Sequence, residues 1–335
     1  MMPGNSRSPL LEVKNLKIEF PTRRGTLVAV DDISLHIDAG EVLGVVGESG
    51  AGKSLTGMSI IGLLEPPGRI AAGQIFLEGR RIDNLSYEMM RKIRGKDIGA
   101  IFQDPLTSLN PLFQVGDQLV ETIRTHLDLT EAQARKRAID LFQEVGIPSA
   151  EERIDHYPHQ FSGGMRQRVV IALALCAEPR LIIADEPTTA LDVSIQAQII
   201  ELLKRLCREH NNAVMLITHD MGVIAETADR VAVMYAGRIA EIGSAKNVIL
   251  RASHPYTHGL MDSIPAIGHD VEALVQIDGA MPRLTEIPSG CSFNPRCLQS
   301  FERCLAERPD LMPVGESQVA CWLFDDDQKE VAIGE

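Results

Sequence analysis

The stretch Val42-Leu43-Gly44-Val45-Val46-Gly47-Glu48-Ser49-Gly50-Ala51-Gly52-Lys53-Ser54 decides how the chain folds. Val42–Val46 is a short apolar run suited to a buried strand. Ser54–Leu64 reads as a helix ended by Pro66, Pro67 and Gly68. Between them, Gly47 to Ser54 fit GxxxxGK[ST], a pattern whose glycines let backbone N–H groups turn inward around a phosphate chain. Lys53 can then reach the β and γ phosphates and the Ser54 hydroxyl can ligate Mg²⁺, while the helix points its positive dipole end at the anion.

Such a loop needs an acidic partner at the end of a buried strand. Leu181-Ile182-Ile183-Ala184-Asp185-Glu186 supplies one, with Asp185 placed for Mg²⁺ and Glu186 for polarising an attacking water. Two acids after an apolar strand could also cap a helix, but paired with the loop they point to an α/β P-loop nucleoside triphosphatase. Leu181–Ala184, Ala213–Ile217 and Val231–Tyr235 read as strands separated by helices, Ser194–Arg208 being the longest, so a mainly parallel sheet is expected. Period-two patterning at Leu11, Val13, Leu16, Ile18 and Phe20, and again at Ile33, Leu35 and Ile37, predicts an antiparallel sheet at the N-terminus. Helical periodicity over Val115–Leu127, Glu131–Val145 and Gly163–Ala177 predicts an inserted helical subdomain at about residues 106–178. From His254 the pattern breaks into short pieces rich in Pro, Gly and Cys and ends in an acidic tail, Asp325 to Asp327. The expected division is an ATPase domain over 1–253 and a small Cys-rich C-terminal domain over 254–335.

Composition narrows the function. The 335 residues are 44% hydrophobic, enough for a sizeable core. Lys and Arg number 33 against 46 Asp and Glu, a formal charge of -13, which argues against coating nucleic acid. The longest apolar stretch, Val169–Ala177, falls well short of the roughly 20 residues of a membrane-spanning helix. Met1–Pro9 lacks the apolar segment of a secretory signal, so a cytosolic protein that meets a membrane only through partners is expected.

Four further segments resemble those of ABC ATPases. Phe161-Ser162-Gly163-Gly164-Met165 is similar to the signature LSGGQ, Gln103 in Ile101-Phe102-Gln103-Asp104-Pro105 to the Q-loop, Thr189-Ala190-Leu191-Asp192 to the D-loop, and His219 in Thr218-His219-Asp220 to the switch histidine. Phe161 and Met165 depart from the usual Leu and Gln and leave the Ser-Gly-Gly contacts intact. The resemblance implies a RecA-like core with an antiparallel β subdomain and an inserted helical subdomain, acting on ATP with Mg²⁺. It implies that Gln103 joins Ser54 and Asp185 near the metal, that His219 holds the γ-phosphate and the water in line beside Glu186, and that Asp192 lies at the nucleotide interface. Ser162, Gly163 and Gly164 offer a hydroxyl and amides at a helix start, suited to a phosphate presented by another subunit. The resemblance therefore implies a head-to-tail dimer. Phe20 resembles the aromatic that stacks on adenine, although a core phenylalanine has the same sequence appearance.

Longer stretches resemble the dipeptide and oligopeptide importer (peptide/nickel) branch: Gln103 to Pro111, Tyr157 to Met165, Ala184 to Val193, and His254-Pro255-Tyr256-Thr257 followed by a cysteine-rich segment. That resemblance implies two permease subunits, a second ABC ATPase subunit that is a different but similar chain, and an external substrate-binding protein, with this chain peripheral on the cytoplasmic face of the inner membrane. Import of nickel, glutathione or oligosaccharide uses the same motor features. A soluble ABC ATPase of DNA repair or translation is the rival reading. A single phosphate loop, no long coiled-coil insertion and the acidic charge all speak against it.

Of six cysteines, Cys291, Cys297, Cys304 and Cys321 cluster late in the chain, whereas Cys176 and Cys207 sit among apolar neighbours on predicted helices as ordinary core residues. The spacing of the four fits zinc poorly and suits a four-thiolate Fe–S cluster in outline; zinc and metal-free thiols remain alternatives. Resemblance to the peptide-importer extension implies [4Fe-4S].

Overall fold

The computed structural model describes residues 8–189, 191–263 and 276–325, so Ala190, Asp326 and Asp327 lie outside the described residues. Among those described, the chain divides into two compact units, each assembled from separate stretches. One holds residues 36–42 and 76–217 with the segment up to Leu11. The other holds 12–35, 43–75 and the chain from Thr218 onward.

In the first unit, strands Ile98–Ile101, Leu181–Asp185 and Ala213–Ile217 run parallel, in registers that set Ile98 beside Leu181 and Asp185 beside Ile217. Apart from the closing Asp185, all three are continuous apolar runs, the signature of parallel strands covered on both faces, and Leu181 to Ala184 are all buried. Helices Val115–His126, Glu131–Glu144 and Gly163–Leu175 occupy the stretch where helical periodicity runs, between strands Ile98–Ile101 and Leu181–Asp185. Thr130 starts the second with a capping box: its hydroxyl accepts from Gln133 N and the Gln133 side chain accepts from Thr130 N. The long helix Val193–His210 ends at Asn211, whose φ of 53° lies in the left-handed region that Asn tolerates.

In the second unit, strands Leu11–Thr22 and Gly25–Ile37 lie side by side, joined by a two-residue connection that permits only antiparallel pairing. Val42–Val46 pairs in parallel with Arg230–Tyr235, Leu43 opposite Arg230 and Val46 opposite Val233. The helix after the phosphate loop is Lys53–Ile60, four residues shorter at its end than the periodicity suggests. Gly62, at φ 64°, donates to Ser59 O, and Leu63 N–H donates to Met58 O; this Schellman closure ends the helix before the prolines are reached.

The described part of the chain after His254 does not form a compact unit of its own. Strand Ser317–Val319 pairs antiparallel with Arg238–Ser244, which in turn pairs with Arg230–Tyr235, so the extension continues the sheet that carries the phosphate loop. A buried carboxylate secures the entry to this segment. Glu241 accepts from Ser253 N and His254 N, and the His254 ring accepts from Tyr256 N to cap helix Pro255–Asp262.

Candidate nucleotide site

The phosphate loop is held in a conformation that side chains with a Cβ tolerate badly. Gly47 has a φ of 148°, and a Cβ there would lie 2.2 Å from the Met234 carbonyl oxygen; Gly52 has a φ of 97° and sits against Ala29 O. Lys53 is buried at 5% exposure, and its Nζ donates to Gly47 O at 2.8 Å and to Glu48 O at 3.0 Å, bridging the loop from end to start. Gly52 caps the following helix in the left-handed conformation with no side-chain bond to the first turn, the arrangement of an anion-binding helix start. In the same unit Thr218 N–H donates to Val45 O, and the exposed His219 follows at the turn before helix Met221–Thr227, which Asp220 caps. Phe20 is half-buried beside Gly68, whose Cβ would come within 2.7 Å of its ring.

In the other unit, Asp185 closes the buried strand and Glu186 leaves it at a φ of 46°. A positive φ is uncommon for Glu and marks a backbone that the surroundings impose. Glu186 N–H donates to Ile217 O at 2.8 Å, fixing the peptide, and two donors converge on Oε2 of its carboxylate, Gln103 Nε2 at 3.0 Å and Thr189 Oγ1 at 2.8 Å. The side chain is thus oriented at the end of the strand. Sequence reading passed over Thr189 as an orienting group; its place three residues after the acid is the one local cue.

Ser162 is the N-cap of helix Gly163–Leu175, accepting from Met165 N at 3.4 Å. Ser162 and Gly163 are exposed, whereas a Cβ on Gly164 would meet the Ile195 side chain at 2.8 Å. Phe161 is buried, and Arg153 donates to the Met165 sulfur at 3.6 Å, so both departures from the usual signature serve packing. Asp192 is the exposed N-cap residue of Val193–His210. Gln196 Nε2, donating to Thr188 O and Leu191 O, steadies the segment before it.

The ABC transporter family model matches residues 30–189, and the family model described as the oligopeptide/dipeptide transporter C-terminal region matches 240–304. The dipeptide transport ATP-binding protein DppD of Bacillus subtilis is 49% identical over 318 residues, 94% of this chain and 95% of its own length. The chain belongs to the oligopeptide/dipeptide family of ABC transporter ATP-binding proteins. The oligopeptide transport ATP-binding protein AppD of the same organism is 45% identical over 96% of this chain and 99% of its own length. The dimeric structure of a bacterial ABC transporter cassette superposes with a TM-score of 0.62 at 30% identity, covering 70% of this chain and 98% of the cassette. The fold is therefore the P-loop fold of the ABC ATPase cassette.

The C-terminal region of this ABC protein brings Cys291, Cys297, Cys304 and Cys321 to the lining of one small cavity, with Trp322 and His254 beside them. Burial pushes the Cys321 thiol up to about 12, with Cys291, Cys297 and Cys304 adding like-charge repulsion. Cys176 and Cys207 are buried in the other unit, their thiols likewise raised to about 12 by burial. Among the described residues no group of three or more His, Cys, Asp or Glu is arranged to hold a single metal ion, and no helix is long and apolar enough to cross a membrane.

Proposed function

We propose that this ABC transporter ATP-binding protein powers uptake of dipeptides and oligopeptides through partner permeases. Hydrolysis would take place at composite sites formed with a second ABC ATPase subunit, a different but similar chain. The observation that carries the hydrolytic role is the Glu186 carboxylate, held by Gln103 and Thr189 at the end of the Asp185 strand. In this reading Lys53, the loop amides and Ser54 hold the phosphates and Mg²⁺ together with Asp185 and Gln103. Glu186 takes the proton of the attacking water, and His219 keeps that water in line. Ser162, Gly163 and Gly164 with Asp192 face the nucleotide of the second subunit, and Phe20 meets the adenine. The names of the relatives support peptides as cargo. The matched C-terminal region supports residues 254–335 as the importer-type extension to an ATPase domain of 1–253. The complex would sit with this chain on the cytoplasmic face of the inner membrane and receive cargo from an external binding protein.

The test is the ATPase rate of the purified membrane complex with its binding protein loaded with dipeptides, oligopeptides, nickel, glutathione or oligosaccharides. Stimulation by peptides is expected; stimulation only by the others would overturn the peptide assignment.

For the extension, the proposal is that Cys291, Cys297, Cys304 and Cys321 hold a [4Fe-4S] cluster, which would supply a cross-link and an electron-transfer centre. Support comes from all four thiols lining one cavity. A zinc ion with thiolates at about 2.3 Å would draw the sulfurs to within roughly 3.8 Å of one another, whereas a cluster accepts a wider set. Anaerobically purified protein should be brown and contain iron and acid-labile sulfide. Colourless protein with one zinc per chain would reverse the choice.

A further inference from the structure

The phosphate loop is touched from the extension at three places, all within one compact unit. Tyr256, fully buried in the helix after His254, uses its hydroxyl to accept from Glu48 N at 2.9 Å. Arg296, one residue before Cys297, grips the Glu48 carboxylate through Nη1 at 2.9 and 3.0 Å. Met281 Cε lies 3.0 Å from where a Cβ on Gly50 would be.

Arg296 is built for this contact. Its side chain is 6% exposed, and every guanidinium nitrogen is bonded: Nε donates to Asp278 O, Nη2 to Ile277 O, and Nη1 to Glu48 with a longer bond to Tyr235 OH at 3.4 Å. The Tyr235 and Phe293 rings sit 5.8 and 5.9 Å from its Cζ. Tyr235, Tyr256 and Phe293 also pack on one another, with centroids 4.7 to 5.4 Å apart. Tyr235 ends the strand paired with Val42–Val46, so the strand feeding the loop and the residue gripping the loop share one aromatic cluster.

We propose that Arg296 and Tyr256 are positioning residues for nucleotide binding, through which the C-terminal extension sets the phosphate loop's affinity for ATP. The peptide planes at Gly47 and Glu48 are fixed from inside by Lys53 Nζ on their carbonyls and from outside by Tyr256 on the Glu48 N–H. Glu48 places a carboxylate within a loop whose ligand is a polyanion. Arg296 pairs that charge and holds it in place; without Arg296 the carboxylate repels the phosphates and the loop's first turn loses its anchor. Because Arg296 adjoins Cys297, reordering of the cysteine segment reaches the loop through one side chain.

The inference rests on the phosphate-loop reading above, so ATP binding to the isolated full chain is measured beside the ATPase kinetics of the complex. Absence of wild-type binding would sink that reading, whereas the variants judge only the clamp. Arg296→Ala should raise KM and the ATP dissociation constant about tenfold, with kcat changed by less than about twofold. Arg296→Lys should recover part of the loss. Glu48→Gln in the Arg296→Ala background should restore KM to within about threefold of wild type, because the unpaired carboxylate is gone. A merely structural arginine would not be rescued by neutralising one loop residue. Wild-type KM in Arg296→Ala, a fall confined to kcat, or no rescue in a folded double variant would overturn the proposal. Should Arg296→Ala not fold, Tyr256→Phe removes a single hydroxyl and should raise KM about threefold; an unchanged KM there overturns it equally.

Discussion

The loop Gly47–Ser54 and the segment Ser162–Gly164, both proposed to meet phosphate through backbone amides and a hydroxyl, are built by different means. The first is held at positive φ at Gly47, Gly50 and Gly52, bridged by a buried lysine and gripped by residues more than 200 positions away. The second is an ordinary helix start with its Ser cap and first glycine exposed, and neither Gly163 nor Gly164 has a positive φ. A loop fixed on every side is preformed for its ligand and gives up little conformational freedom on binding. An exposed helix start of ordinary geometry has to be completed by what is brought to it. The difference is consistent with the proposed division, in which one loop captures nucleotide and the other segment recognises a nucleotide held by a second subunit.

The largest effect should come from a residue in neither segment. Glu186→Gln keeps the hydrogen-bonding shape beside Gln103 and Thr189 but removes the carboxylate proposed as the base, so turnover should fall about a thousandfold while MgATP still binds. Sizing chromatography with MgATP should show a trapped, closed assembly; retention of more than a tenth of the activity would remove Glu186 from its role. Next comes Lys53→Ala, which deletes both the proposed phosphate contact and the bridge to Gly47 O and Glu48 O. ATP affinity of the isolated chain should fall about a hundredfold, read by equilibrium binding.

Gly164→Val tests the other member of the comparison. The added side chain meets Ile195, and overpacking of this kind costs about 1–3 kcal/mol, enough to displace the helix start. ATPase of the complex should fall about tenfold, with ATP affinity of the isolated chain close to wild type. A parallel fall in that affinity would erase the distinction between the two segments.

Both members of this contrast, and the acids beside them, were legible in the sequence because their signals are local: GxxxxGK[ST] between strand and helix, two acids closing an apolar run, a serine ahead of two glycines. The grip on Glu48 was not. Tyr256 and Arg296 lie 208 and 248 residues from it, and no periodicity or spacing announces a pair so far apart. His254-Pro255-Tyr256 stood out as a motif, yet its reason is tertiary: His254 caps the helix that delivers the Tyr256 hydroxyl to the loop. Strands Met312–Val314 and Ser317–Val319, three residues each, are too short to show alternation, so the joining of the extension to the core sheet was also unreadable.

A second ionic link from the extension supplies the control for the first. Arg308 donates to Asp31 Oδ2 at 2.5 Å, and Asp31 also accepts from Arg238, but here the arginine side chain is 41% exposed against 6% for Arg296. Burial acts to raise the Asp31 carboxyl, and the bonds from Arg238 and Arg308 outweigh it, holding the group below the usual carboxylate range. A carboxyl lowered in this way contributes stability above its ordinary pKa and loses it as pH falls through the lowered value. Arg308→Ala should therefore lower the melting temperature at neutral pH by about 2 °C, since exposed pairs contribute under about 1 kcal/mol. The gap from wild type should narrow as the solution is acidified and Asp31 is protonated. Affinity for ATP should stay at the wild-type value, because Asp31 is held by Arg238 and Arg308, whereas Arg296 bonds Glu48 within the loop itself. If Arg308→Ala weakened ATP binding as much as Arg296→Ala, the loop would be responding to the extension's general integrity, and the Glu48 contact would lose its special standing.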